Sequence, residues 1–240
     1  MKGRAGFALV VGLALAVGGG TRGMSALAAR AAHPVVHALG LGQAPDDASL
    51  ARGVAALERS AEWRGTPARR YGDLALLQLE LARREEANPG RFVPRINAGV
   101  AAQRAALALA PADGSGWARL VYAQKLRARE RGDPAAARAA SNDADSLGAL
   151  EMAFLTRDLS FSLVRFRLAA ALDQWAMLRP WLRTAARAEV LELTRYGARG
   201  MDALVDLYLA SPHPAVIDEE LAAAPQQKAD FERRLARRPK

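Results

Sequence analysis

Leu50, Val54, Leu57 and Ala61 recur at a 4-3-4 spacing, which puts them on one face of a helix. Asp46 precedes that run as an N-cap, accepting from the free amides of the first helical turn. Thr66-Pro67 then opens a second helix with Thr as cap and Pro at the first position, where no amide donor is needed. Leu74, Leu77 and Leu81 form its stripe, and Asn88-Pro89-Gly90 ends it. Further helices are predicted from about Val93 to Leu109 and from about Gly116 to Arg131. Asp133-Pro134 repeats the cap-then-proline signal, and Ser141 to Asp145 interrupts the pattern before a helix from about Ser146 to Thr156.

Leu159 to Met177 carries two apolar stripes, Phe161, Val164, Leu168, Ala171 and Trp175 on one face and Leu159, Leu163, Phe166 and Ala170 on another. A helix with two apolar faces packs on two neighbours, as the inner helices of a stacked array do. Pro180 starts another helix, Met201 to Leu209 forms the next, and Pro212-His213-Pro214 breaks the chain again. Two short helices close it, the last with Phe231 and Leu235 on one face among Arg233, Arg234, Arg237 and Arg238. The expected fold is all-α, a degenerate α-solenoid of about ten helices on short loops.

The N-terminus has a different pattern. Lys2 and Arg4 are followed by an uncharged stretch from Ala5 to Gly20 that includes Phe7, Leu9, Val10, Val11, Leu13, Leu15 and Val17. A charged start before an apolar core is an export signal. Sixteen helical residues span about 24 Å, short of the ~30 Å hydrocarbon core of a bilayer. Two fates follow: a retained single-pass anchor in the inner membrane with a periplasmic domain, or a signal cleaved after Ala28 or Ala31 that leaves a periplasmic protein. A true start at Met24 would remove the signal altogether. The expected division is a signal segment at 1–22, a Gly/Ala-rich linker at 23–45, a helical-repeat domain at 46–225 and a basic C-terminal helix or tail at 226–240.

Composition agrees with a helical chain. Hydrophobic residues make up 51% of the 240 residues and aromatics only 6%, so Ala and Leu, both strong helix formers, supply most of the apolar mass. Of 34 basic residues 30 are Arg, a bias that together with heavy Ala and Gly use fits GC-rich bacterial coding. The net charge of +9 favours anionic partners such as lipid headgroups or acidic polysaccharide. Nucleic acid is disfavoured, because no recognised binding motif is present and export separates the two. Absence of cysteine excludes disulfides, thiolate metal sites and a catalytic cysteine.

The stretch Ala105–Leu120 joins an Ala/Leu helix ending at Pro111 to a helix opened by Trp117. With Gly99, Ala106, Pro111, Trp117, Leu120 and Ala123 it resembles the junction between two tetratricopeptide repeats, whose small and large positions interlock neighbouring helices. Val121, Gln103 and Gln124 depart from that pattern, as does the late Gly132-Asp133. The C-terminal half, with Trp175, Leu178, Arg179 and Pro180 followed by 200–221, resembles membrane-anchored polysaccharide-biosynthesis accessory proteins of the VpsP type. That resemblance implies a non-catalytic subunit working with protein partners of an envelope assembly, without a cofactor.

On the repeat reading, the groove-facing positions of the fourth helix are Ser115, Arg119, Tyr122 and Lys125, within a basic stretch that continues through Arg127, Arg129, Arg131 and Arg138. Such residues bind an acidic peptide or sugar through charge-assisted hydrogen bonds, and a solvated face is the plainer explanation. The other reading of the chain is an envelope hydrolase on a helical scaffold, which needs an acid and a base about 5–10 Å apart. Its carboxylates would come from Asp143/Asp145, Asp202/Asp206 or the run Asp218 to Glu220. His33 and His37 have ligand-like i, i+4 spacing, but Pro34 lies between them and no acidic third ligand is near. No serine-nucleophile elbow, phosphate-cradling loop or dinucleotide fingerprint occurs.

Overall fold

A computed structural model describes residues 19–63, 65–129, 144–156 and 159–238. Among these, all regular structure is helical and no strand is present. The chain divides into two compact units, Met1–Pro111 and Ala112–Lys240, so the boundary falls inside the Ala105–Leu120 junction and not at the ends of a single 46–225 domain. The apolar segment up to residue 18, Asp133-Pro134, Arg131, Arg138 and Asp143 lie outside the described residues. No described helix is long and apolar enough to cross a membrane.

Unit 1 contains α1 (residues 19–28), a 3-10 turn (Ala29–Ala32), α2 (His33–Gly40), α3 (Asp47–Ala61), α4 (Ala68–Arg84) and α5 (Pro89–Leu109). The segment expected as a linker is therefore helical up to Gly40, and it belongs to the core. Ala29, Ala32 and Val35 are buried with Leu50, Val54 and Leu57 of α3 and with Leu74, Leu77 and Leu81 of α4. The two stripes read from the sequence thus meet each other and also a third, made of small side chains.

Asp46 caps α3 as expected: its Oδ1 accepts from the Ser49 amide at 2.6 Å, which holds its carboxyl below the ordinary range. Thr66 does something else. Pro67 occupies the α4 cap position, and the Thr66 hydroxyl contacts the Ser60 and Trp63 carbonyls at 2.8 and 2.7 Å. Asn88-Pro89 opens α5 and does not close α4, because proline lacks the amide that a first helical position would leave unpaired. Arg84 ties the two ends of this layer together, donating to the Pro45 carbonyl and to Asp47 at 2.7 and 2.8 Å. Helix α5 lies close on α4 because Gly99 admits it: a Cβ there would sit 2.9 Å from Cδ2 of Leu79.

Unit 2 contains α6 (Gly114–Arg129), α7 (Ala144–Leu155), α8 (Phe161–Asp173), a 3-10 turn (Trp175–Met177), α9 (Pro180–Thr194), α10 (Gly197–Ala210), α11 (Ala215–Ala222) and α12 (Pro225–Leu235). The helix expected over Leu159–Met177 stops at Asp173, and Trp175–Met177 winds more tightly. Its core joins Val164, Leu168 and Leu172 of α8 to Val190 and Leu193 of α9 and Leu204 and Val205 of α10. Val216, Ile217 and Leu221 of α11 complete it, together with Phe231 of α12. Phe231 is only 2% exposed and meets Tyr208 edge-on with ring centroids 5.4 Å apart. The C-terminal helix is thus part of the unit and not a tail.

Gly200 sets the corner between α9 and α10, since a Cβ there would stand 1.8 Å from the Leu193 carbonyl oxygen. Gly148 in α7 has nothing within 4 Å of the same position. Gly200→Ala is therefore expected to destabilise unit 2 by about 1–3 kcal/mol or more through overpacking. Gly148→Ala is expected to stabilise it by about 0.5–1 kcal/mol through helix propensity. Urea denaturation of the two variants checks the contrast, and equal effects would contradict this packing of the corner.

Candidate functional site

Ser115, Arg119, Tyr122 and Lys125 do share a face of α6, and each is partly buried. The geometry makes that face self-contained. The Asp113 carboxylate accepts from the Ser115 hydroxyl at 2.6 Å and from the Arg119 guanidinium at 3.4 Å. Lys125 reaches Asp173 at the C-terminal end of α8, 2.5 Å away. Both groove cations already have a carboxylate within unit 2, so this face has less to offer an acidic ligand than its sequence suggests. Arg127, two residues on and facing away, is exposed.

The proposed acid and base pairs are not gathered in a cleft. Asp202 and Asp206 stand one turn apart on α10, and each accepts from an arginine near the C-terminus: Arg234 of α12 at 2.9 Å and Arg238, just beyond that helix, at 2.7 Å. Glu219 and Glu220 of α11 pair with Arg187 of α9 at 2.7 and 3.5 Å, and Asp218 accepts from Tyr208 at 3.2 Å. These carboxylates clamp helices to one another. Arg233 also pairs with Asp230, so the basic look of the last helix is largely answered by neighbouring acids. His33 and His37 stack at 6.2 Å on the exposed side of α2, and no group of three or more metal-ligating side chains occurs among the described residues.

The most polar interior in unit 2 was not foreseen. Arg167 of α8 and Glu189 of α9 form a buried ion pair, with Arg167 Nε 2.6 Å from Glu189 Oε1. The guanidinium also lies 5.5 Å from the centre of the Phe154 ring, and Glu189 Oε2 is buried without a hydrogen-bond partner. Burial pushes the Glu189 carboxyl up to about 7, while the Arg167 charge and hydrogen bond pull the other way. Nearby, Gln174 Nε2 lies 3.5 Å from the Ser146 hydroxyl, both residues fully enclosed. Arg167 sits inside an apolar stripe, which is why the sequence pattern hides it.

Beside this layer, Leu147, Gly148, Glu151, Met177, Leu178, Arg179 and Leu182 line a cavity of about 170 Å³, with Arg179 and Glu151 paired at 3.2 Å. That is below the ~300–1,000 Å³ of typical ligand pockets, and suits one side chain or a few waters. The exposed Met177 and Trp181 flank it in sequence, and the neighbouring Trp175 ring has Arg183 and Arg187 at 5.9 and 5.8 Å from its centre. These features suit contact with another protein better than chemistry on a small molecule.

The Arg167–Glu189 pair has a distinct stability signature. Between about pH 4.5 and 7 the folded state holds a proton at Glu189 that the unfolded chain has lost. This group's contribution therefore makes stability fall as pH rises through that window and level off above it. Arg167→Met with Glu189→Leu is expected to abolish that decline, with stability at pH 8 held or raised. Glu189→Ala alone is expected to destabilise unit 2 by removing the α9 carboxylate from the buried Arg167 guanidinium. Denaturation midpoints across pH measure all three, and an unchanged pH dependence in the double variant would refute the assignment. No protein-family model matches the chain, and no curated protein or solved structure matches it either.

Proposed function

We propose that the protein is a non-catalytic, membrane-anchored helical adaptor of the bacterial envelope, accessory to the assembly or export of an extracellular polysaccharide. The observation that carries the anchored part is the burial of residues just beyond the export segment. Ser25, Ala29, Ala32 and Val35 all belong to the interior of unit 1. A cut after Ala28 would remove Ser25 and place a charged amine on Ala29, a residue 3% exposed. A cut after Ala31 would do the same at Ala32, which is 1% exposed. Retention keeps the core whole, so the anchor is favoured over the cleaved signal.

The adaptor part draws on the all-helical build and on what the charges do. In unit 1, α3 packs on α4 and α4 on α5, and in unit 2, α6 packs on α7 and α8 on α9, the neighbour-on-neighbour order of helical-repeat scaffolds. Among the described candidate carboxylates, Asp202, Asp206, Glu219 and Glu220 are engaged in ion pairs with arginines of other segments of unit 2. The polysaccharide assignment rests on the resemblance of the C-terminal half alone.

Cell fractionation with a C-terminal reporter tests compartment and anchoring together. The expected result is a reporter outside the cytoplasm that stays with membranes through high-salt washing, and capture of envelope-assembly proteins from detergent-solubilised membranes. A soluble cytoplasmic reporter would overturn the proposal.

A further inference from the structure

We propose that His33 and His37 form a two-imidazole site for a divalent transition-metal ion on the outer face of α2, with Cu2+ the ion held most tightly. The site is independent of the adaptor role and of the compartment. Two histidines at i, i+4 on one helical face can share an ion, but in the sequence Pro34 between them argues against a continuous helix. The fold removes that objection. In an α-helix the amide of residue 34 would donate to the Arg30 carbonyl, and proline has no amide. The backbone winds as a 3-10 turn over Ala29–Ala32, and the His33 amide donates to the Arg30 carbonyl instead. That carbonyl is satisfied, and the helix runs on through Pro34 to Gly40.

Packing decides which side of α2 faces out. Val35 is buried, and Val36 and Leu39 pack partly against the core that holds Leu50, Leu57 and Leu77. Helix α2 comes close to α3 at Gly53, where a Cβ would sit 3.7 Å from the Val35 Cβ. His33 and His37 are left exposed one turn apart, their ring planes within 10° of parallel and their centroids 6.2 Å apart. Bonds of about 2.0–2.1 Å to one ion, at right angles, place two donor nitrogens about 3 Å apart, so the rings close on it by tilting toward each other. Solvent on the outer side leaves them room to do so.

Ligand chemistry selects the ion. Neutral imidazole suits Cu2+, Ni2+ and Zn2+, and Cu2+ heads the affinity order at nitrogen sites. No group of three or more metal-ligating side chains occurs among the described residues, so with two protein ligands the other positions go to water or to a ligand that arrives with the ion. Such a site exchanges its ion readily, unlike a closed four-ligand zinc centre. Arg30, one turn before His33, is the nearby like charge, and being exposed it is screened by solvent and salt.

Composition makes the site easy to isolate, since the chain has three histidines and no cysteine, and His213 is the other imidazole. The untagged full chain, purified in detergent, is titrated with Cu2+ as wild type, His33→Gln, His37→Gln and His213→Gln, each shown to be folded by circular dichroism. Wild type and His213→Gln are expected to bind one ion with equal affinity and to show two nitrogen couplings in the Cu2+ EPR spectrum. His33→Gln and His37→Gln are each expected to weaken binding at least about tenfold, because the second imidazole engages the ion intramolecularly. No binding by wild type, or binding unaltered in either of those two variants, overturns the site. Should a variant fail to fold, the wild-type spectrum decides, and fewer than two nitrogen couplings overturns it as well.

Discussion

Ser25 reaches across from the first described helix to the carbonyl and hydroxyl of Ser60, and the first unit is built outward from that buried contact. It joins the first described helix to the end of α3 and, through Thr66, to the residues just before α4. A hydroxyl buried without a partner costs roughly 1–3 kcal/mol, so the three hydroxyls are stable inside only while each satisfies another. With that cluster in place, Ala29, Ala32 and Val35 fall into register against α3, and the small side chains allow close approach. Residues 19–35 are thereby coupled to the fold of α3 and α4.

Charge does similar internal work in the second unit. Asp202 and Asp206 on α10 meet Arg234 of α12 and Arg238 just beyond it, and Arg187 on α9 meets two acids of α11. Such exposed pairs contribute little each and act mainly to fix which helix faces which. The apolar contacts through Val216, Ile217 and Phe231 supply the burial that holds those helices. A chain with a net charge of +9 thus has much of its arginine engaged in its own architecture.

The helical class and most element boundaries were legible because Leu and Val stripes at helical spacing are long and strongly periodic. The Asp46 cap followed from a local rule that tertiary contacts did not overrule. The stretch 19–40 was misread because its inward stripe is Ser25, Ala29, Ala32 and Val35, too short in side chain to register as amphipathic. Ser115, Arg119, Tyr122 and Lys125 share a face of α6, but the carboxylates that neutralise it are not legible in that stretch alone. Asp113 is local to Arg119, whereas Asp173 lies 48 residues from Lys125 and only folding brings them together. The complementary i, i+4 pairs Asp202/Asp206 and Arg234/Arg238 are plain in the sequence, yet their meeting also depends on tertiary packing. Arg167 was hidden for the opposite reason, a charged residue standing in an apolar helix.

Residues 19–40 belong to the folded unit, and the fold of unit 1 requires that they be kept. Intact-mass measurement of the protein purified from its native cells decides it directly. Retention predicts the mass of the whole chain, 25.6 kDa, with peptides spanning Gly19 to Gly40 recovered uncut. A mature N-terminus at Ala29 or Ala32 would contradict it.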